Sequence, residues 1–329
     1  MKQAFRRPLL PLRSVSLTLA LASFAYFSVP CEHLHANDTE AEIGLGGLVL
    51  IKSANIEIRS EDLYVSIEEI KVRYRFYNRA NTAVTTHVAF PMPDIVFSED
   101  PDTPYVTEHE FFTRVDGVPV KTKIEQRAMV GGRDRSDILE RLSIPLNPVT
   151  SQEALNNLPR QSRDELTKSG LAKASQNGSL EPRWTLKTTY YWEQTFPAKK
   201  EITIDHRYEP IVGGTVPSTK WTDMRLGDSL FSEYQKEFCI DQDFVRSARQ
   251  FERQQQSGGE SWISYILKTG RNWATPIGEF RLVVNKGDPR NITSFCAEGV
   301  KKINATQFEM RKKNFVPSRD LKVLILRRK

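Results

Sequence analysis

Residues 70–78 read IKVRYRFYN, and their alternation constrains this chain's fold more than anything else in it. Ile70, Val72, Tyr74 and Phe76 alternate with Lys71, Arg73, Arg75 and Tyr77. That period of two predicts a strand with one buried and one solvated face. The same pattern returns in 82–90, where Val84, Thr86, Val88 and Phe90 share a side, and from Trp184 to Phe196, where Leu186, Tyr190 and Trp192 are in phase. In EITIDHRY, Ile202, Ile204, His206 and Tyr208 share another face. Asp116-Gly117 between FFTRV and VPVKTKI has the chemistry of a two-residue type I′ hairpin. Many short strands separated by turn residues predict a mainly β fold, an antiparallel β-sandwich.

Residues 127–180 change character. Thr150 with Glu153, and Ser162 with Glu165, have capping-box spacing ahead of leucine-containing stretches. Another helix is expected around Ile138–Leu142, before Pro145 and Pro148. These features predict a helical insertion in a β-sandwich domain spanning 37–216. Its leucines Leu139, Leu142, Leu155 and Leu158 are expected to cover outward-facing rings near Tyr190–Trp192, and the cover is a candidate entry point for a ligand. Residues 210–230, rich in Pro, Gly, Ser and Thr, mark a boundary. A second, mainly β domain is expected over 217–329. It carries one amphipathic helix at 241–254, with Phe244, Val245, Ala248 and Phe251 on one side. Asp241 and Asp243 suit its N-terminal cap and first turn. Strands follow in SWISYILK, GEFRLVVN, NITSF, TQFEM and LKVLIL.

The first 36 residues read as a secretory signal. Lys2, Arg6, Arg7 and Arg13 precede an apolar run from Val15 to Val29, and Leu34-His35-Ala36 offers a cleavage site before Asn37. The apolar run is shorter than the ~20 residues that span a bilayer. An uncleaved anchor and a lipid-modified Cys31 are the alternatives, the second disfavoured by Val29 and Pro30. With cleavage after Ala36, the mature protein is expected in the periplasm with no transmembrane segment. It then carries 43 basic against 40 acidic residues, so the basic balance of the full chain is no argument for a nucleic-acid partner. Cys239 and Cys296 remain as its two cysteines. In an oxidising compartment they most simply form one disulfide; a redox or metal pair is the alternative, with no CxxC spacing to support it.

No nucleophile elbow, HExxH or phosphate-binding loop occurs. Gly44-Leu45-Gly46-Gly47 precedes a strand rather than a helix and reads as a turn. His109 stands between Glu108 and Glu110, and an acidic stretch holds Glu99, Asp100 and Asp102 without EF-hand spacing. His206, in phase with apolar neighbours, reads as a core histidine. Tyr190, Tyr191 and Trp192 are consecutive, so both faces of their strand carry rings. Together with His109 they form the candidate ligand or partner surface. No catalytic, metal or cofactor residue is assigned and no cofactor is expected. The expectation is a non-catalytic binding or scaffolding protein whose partner is an envelope protein or a glycan. A periplasmic hydrolase or carbohydrate-active enzyme with dispersed carboxylates is the alternative.

Several segments resemble the bacterial domain of unknown function 4424 family: RSEDLYVSIEEIKVRYRFYN (59–78), TTHVAFPMPDI (85–95), YYWEQTFPAKKEITIDHRYEPIVGG (190–214), FCID (238–241), NWATPIGEFRLVV (272–284) and SFC (294–296). The resemblance covers essentially the whole mature chain. It implies an exported bacterial protein, with no assigned activity and no catalytic residues to carry over. The step Phe90-Pro91-Met92-Pro93 among strands, followed by a helical insertion, is similar at the level of fold to the vault/inter-alpha-trypsin domain.

Overall fold

The computed structural model describes residues 39–44, 47–97, 110–176, 178–215, 221–225, 227–254 and 257–328. The expected signal segment with Ala36, the acidic stretch at Glu99–Asp102 and His109 lie outside the described residues.

The strand Ile70–Asn78 sits inside an eight-stranded sheet. From edge to edge its strands are Lys301–Lys302, Gln307–Phe315, Ile277–Asn285, Ile56–Val65, Ile70–Asn78, Glu201–Tyr208, Phe111–Val115 and Val118–Val120. Apolar residues at alternate positions turn to one side, so Ile70, Val72, Tyr74 and Phe76 are buried. Ile202, Ile204, His206 and Tyr208 are buried beside them. The outward side is charged. The expected hairpin forms: Val115 pairs with Val118, and Asp116 and Gly117 take φ of 47° and 81°, as a type I′ turn needs.

A second sheet closes one part of this core. Its strands run Arg133–Asp134, Lys123–Val130, Thr185–Phe196, Val84–Pro91, Thr39–Gly44 and Gly47–Ile51, with Ile95–Val96 also paired to Thr185–Phe196. A third sheet, Val212–Thr215, Ser257–Tyr265, Leu321–Arg328 and Ile292–Phe295, faces another part. One apolar cluster joins all three: Tyr74 and Phe76 from the first, Tyr190 and Trp192 from the second, Tyr265 and Ile325 from the third. The mainly β, sandwich-like class follows from this layering.

The segments 37–216 and 217–329 share the large sheet. Its central junction is parallel, with Ile277–Asn285 against Ile56–Val65, and brings them together. The approach is close there. A Cβ on Gly278 would lie 2.6 Å from the Arg59 carbonyl oxygen, inside any normal contact, so this position requires glycine.

Within 217–329 the predicted helix is Gln242–Arg253. Asp241 accepts from the Phe244 amide at 2.7 Å, and the four predicted apolar residues are buried. A second helix, Ser229–Phe238, precedes it, so the described residues of this half hold two α-helices rather than the one expected. It rises directly out of the Gly- and Ser-rich stretch, whose composition obscured its Phe231, Tyr234 and Phe238 face.

The insertion contains Ser136–Arg141, Gln152–Asn156 and Arg160–Lys168, followed by the small hairpin Ala172–Ala174 and Leu180–Pro182. Neither capping box forms. Ser151 and Pro159 precede the last two helices without a side-chain cap, and Ser162 lies inside the third. Glu165 instead pairs with Arg141 of the first helix. A capping box needs Ser or Thr at the helix boundary; Pro159, with fixed φ, set that boundary three residues earlier.

Candidate ligand-binding site

Two rings of the aromatic run, Tyr190 and Trp192, are buried and built into the core. Phe111 stacks on Tyr190 with ring centroids 4.3 Å apart, and Trp192 meets His206 edge-on at 5.4 Å. Nδ1 of His206 shares a 3.0 Å hydrogen bond with the Thr113 hydroxyl, which is how a histidine is accommodated among apolar rings. Tyr191 points to the other side and is half-buried, but the insertion does not cover it. The hairpin of Thr39–Gly44 and Gly47–Ile51 does, through Ala41, Leu48 and Leu50. Glu125 accepts from the Leu48 amide at 2.8 Å and Arg127 donates to its carbonyl at 3.2 Å, which holds this hairpin down. Leu139 and Leu155 are buried, with Leu142 and Leu158 against them, around Trp184 just before the start of the same long strand. The Trp184 indole donates to the Leu146 carbonyl at 2.7 Å. The insertion therefore covers a ring, but a different one from that expected.

The predicted cysteine pair is joined, with Cα atoms 5.0 Å apart, inside the range a disulfide requires. Cys239 ends the helix Ser229–Phe238 in the left-handed region at φ 54°. Cys296 follows the strand Ile292–Phe295. Around the bridge, the Ser294 hydroxyl donates to the Phe238 carbonyl at 2.9 Å, and Lys322 donates to Glu237 at 2.7 Å.

This bridge forms one wall of a cleft of about 560 Å³, within the size range of small-molecule sites. Its floor is Leu267, Leu282, Met310 and Leu321, all buried and continuous with the main core. Asn314 adopts φ 49°, a left-handed conformation asparagine tolerates. Beyond it Phe315 returns to the inner side and stacks on Phe280 at 4.6 Å.

The rim is polar. Lys312 alternates in phase with Met310, and its ammonium meets Glu298 at 3.1 Å. Asp320 accepts from the amides of Leu267 and Lys268 at 3.1 and 3.2 Å and pairs with the Lys268 side chain at 3.4 Å. Arg319 donates to the Lys236 carbonyl and to Cys239 Sγ. Both rim carboxylates are thus engaged, whereas Arg319 makes no ion pair with a described residue, nor does Lys313, which alternates to the outer side of its strand at the cleft's lip. An apolar floor under surplus positive charge suits a small amphiphilic anion. Among the described residues, no group of three or more His, Cys, Asp or Glu is placed to hold a metal ion.

Sequence reasoning located the bridge but not the cleft. Leu282 comes from one strand, Met310 and Lys312 from its neighbour, and Leu267 from the turn that follows a third, and none carries a signal beyond that of an ordinary strand or turn.

A family model described as Domain of unknown function (DUF4424) matches residues 36–324. The chain belongs to this family. The match spans both halves of the large sheet and both cysteines. No curated protein matches the chain. Among solved structures, it is similar to a Legionella pneumophila protein provisionally described as nutrient binding, at 16% identity and a TM-score of 0.44, covering 89% of this chain and 70% of that one. It is also similar to an M1 zinc metallopeptidase from Deinococcus radiodurans, at 7% identity and a TM-score of 0.27, covering 83% of this chain and 43% of that one. Both scores fall below 0.5, and neither likeness bears on function.

Proposed function

We propose that this member of the family is an exported, non-catalytic binding protein, and that the disulfide-walled cleft takes a small amphiphilic anion. The observation that carries this reading is the pairing of an apolar floor, Leu282 and Met310, with Arg319 at the rim, whose charge no described carboxylate meets. The apolar body of the ligand lies over the floor, and Met310 adapts to its shape. Its acid group lies at the rim.

Calorimetric titration with dodecanoate tests this. The wild-type chain is expected to bind it, and Lys313→Glu with Arg319→Glu to weaken binding at least tenfold, about 1.4 kcal/mol. The same variant should gain affinity for dodecyltrimethylammonium. Equal affinities of wild type and variant for both probes would overturn the assignment.

Export rests on the basic leader, its short apolar core and a bridge of the kind oxidising compartments favour. Among the described residues no helix is long and apolar enough to cross a membrane. N-terminal sequencing of protein from a periplasmic fraction is expected to begin at Asn37. A chain that retains Met1 and sediments with membranes would sink this part of the proposal.

A further inference from the structure

The charged outer face of the eight-stranded sheet is remote from the cleft floor, which lies on the inner side. One row of residues crosses six strands in register: Arg311, Arg281, Asp62, Arg73, Asp205 and Arg114. Arg281 donates to both oxygens of Asp62 at 3.0 and 3.1 Å, and Arg73 donates to Asp205 at 2.6 Å. At one end Glu309 accepts from Arg281 and Arg311, which hold its carboxyl down to about 2. The other end differs. Arg114 faces Asp205 across the sheet but makes no ion pair with a described residue.

A charge ladder of this kind first reads as sheet stabilisation, at about 0.2–1 kcal/mol per cross-strand pair. Two further features go beyond that. A hollow of about 710 Å³ lies over the Arg114 end, and its lining holds five cations, Lys71, Arg73, Arg114, Arg207 and Arg281, against the carboxylates Asp62 and Asp205, with Glu69 pairing Lys71 and Arg207 from beside it. Rings flank these cations. Phe112 is 55% exposed, and Tyr64 lies beneath the Lys71 ammonium at 5.4 Å.

We infer that this face binds an acidic polysaccharide, one whose sugar units carry carboxylates. Arg281, Arg73 and Arg114 stand on every second strand of the row, about 9.6 Å apart given the ~4.8 Å strand spacing. They match anionic groups repeated along an extended chain. Asp62 and Asp205 between them accept hydrogen bonds from neutral hydroxyls, which a uronate polymer supplies beside each carboxylate. Phe112 and Tyr64 offer flat apolar surface to sugar rings. An anionic membrane fits less well, because its phosphates would lie against Asp62 and Asp205 without hydroxyl donors at regular spacing.

The test is binding of oligogalacturonate, measured by calorimetry at low and physiological salt, with neutral dextran and phosphatidylglycerol vesicles as parallel probes. The wild type is expected to bind oligogalacturonate, more weakly as salt rises, and not dextran. Arg114→Gln with Arg207→Gln should weaken binding at least tenfold without moving the thermal midpoint, because both side chains are on the surface. Lys168→Gln on the insertion should leave binding unchanged. No binding of oligogalacturonate by the wild type, equal binding by the double variant at an unchanged midpoint, or binding of vesicles without glycan would each overturn the inference. The Lys313→Glu, Arg319→Glu protein should still bind oligogalacturonate, so this test and that of the cleft fail separately.

Discussion

Trp273→Ala is expected to destabilise the protein by about 3–5 kcal/mol, the cost of emptying a large aromatic site in a packed core, and to do so for both halves of the chain at once. Trp273 is 1% exposed and belongs to the later segment, just after the 3-10 turn Lys268–Asn272. Its ring lies against residues of the earlier one, 4.8 Å from Phe76 and 6.4 Å from Phe196 between centroids. Flanking backbone bonds hold it there: the Ser53 amide donates to Asn272 at 2.7 Å, and the Ala274 amide to Ile56 at 2.9 Å. Six residues beyond Trp273, at Glu279, the parallel junction of the large sheet begins. Loss at this point should therefore propagate to both segments. Thermal unfolding followed by circular dichroism and by intrinsic fluorescence should give one coincident transition, shifted downward in the variant. Two separated transitions, or a loss below about 1 kcal/mol where 3–5 kcal/mol is expected, would contradict this.

The second large effect is expected at the disulfide. Replacing Cys239 and Cys296 by serine should cost about 4 kcal/mol on the chain-entropy account, because the bridge closes a loop between residues 57 apart. The cleft should suffer too, since the bridge is its wall and fixes the C-terminal end of the helix Ser229–Phe238. Guanidinium unfolding of wild type with and without reductant, beside the double serine variant, separates the effect of the bond from that of the new side chains. Reduced wild type and variant should coincide, with dodecanoate affinity lowered in both. A variant within about 1 kcal/mol of the oxidised wild type, where about 4 kcal/mol is expected, would show that the native contacts around Ser294 and Lys322 hold the cleft without the bridge.

Much of the local structure was legible because its causes are local. The period of two in IKVRYRFYN is a consequence of strand geometry, so it named the buried face of the central strand before any partner was known. Asp-Gly meets the positive φ that a type I′ turn demands. Asp241 caps its helix through an amide three residues away. The cysteine pair followed from counting under the expectation of an oxidising compartment. The insertion helices were also foreseen, although their boundaries were misplaced where Pro159 outweighed the Ser-x-x-Glu spacing.

What the sequence alone left open were relations between residues far apart in the chain. Consecutive rings at Tyr190, Tyr191 and Trp192 required two covers, and the pattern supplied the need without the identity of the cover. Packing assigned the inward pair to the core and Tyr191 to the N-terminal hairpin, through a bond from the Leu48 amide to Glu125, 77 residues away. The parallel junction of Ile277–Asn285 with Ile56–Val65 likewise leaves no trace in either strand, since each alternates as any sheet strand would. The same holds for the cleft and the charged row. Their side chains become a site only when strands distant in sequence are set about 4.8 Å apart. Alternation, turn chemistry and caps are governed by backbone geometry within a few residues, so the sequence determined them. Strand order, the covering of Tyr191 and the gathering of Leu267, Leu282, Met310 and Arg319 at one cleft are governed by which apolar surfaces exclude water together, and the tertiary structure decided those.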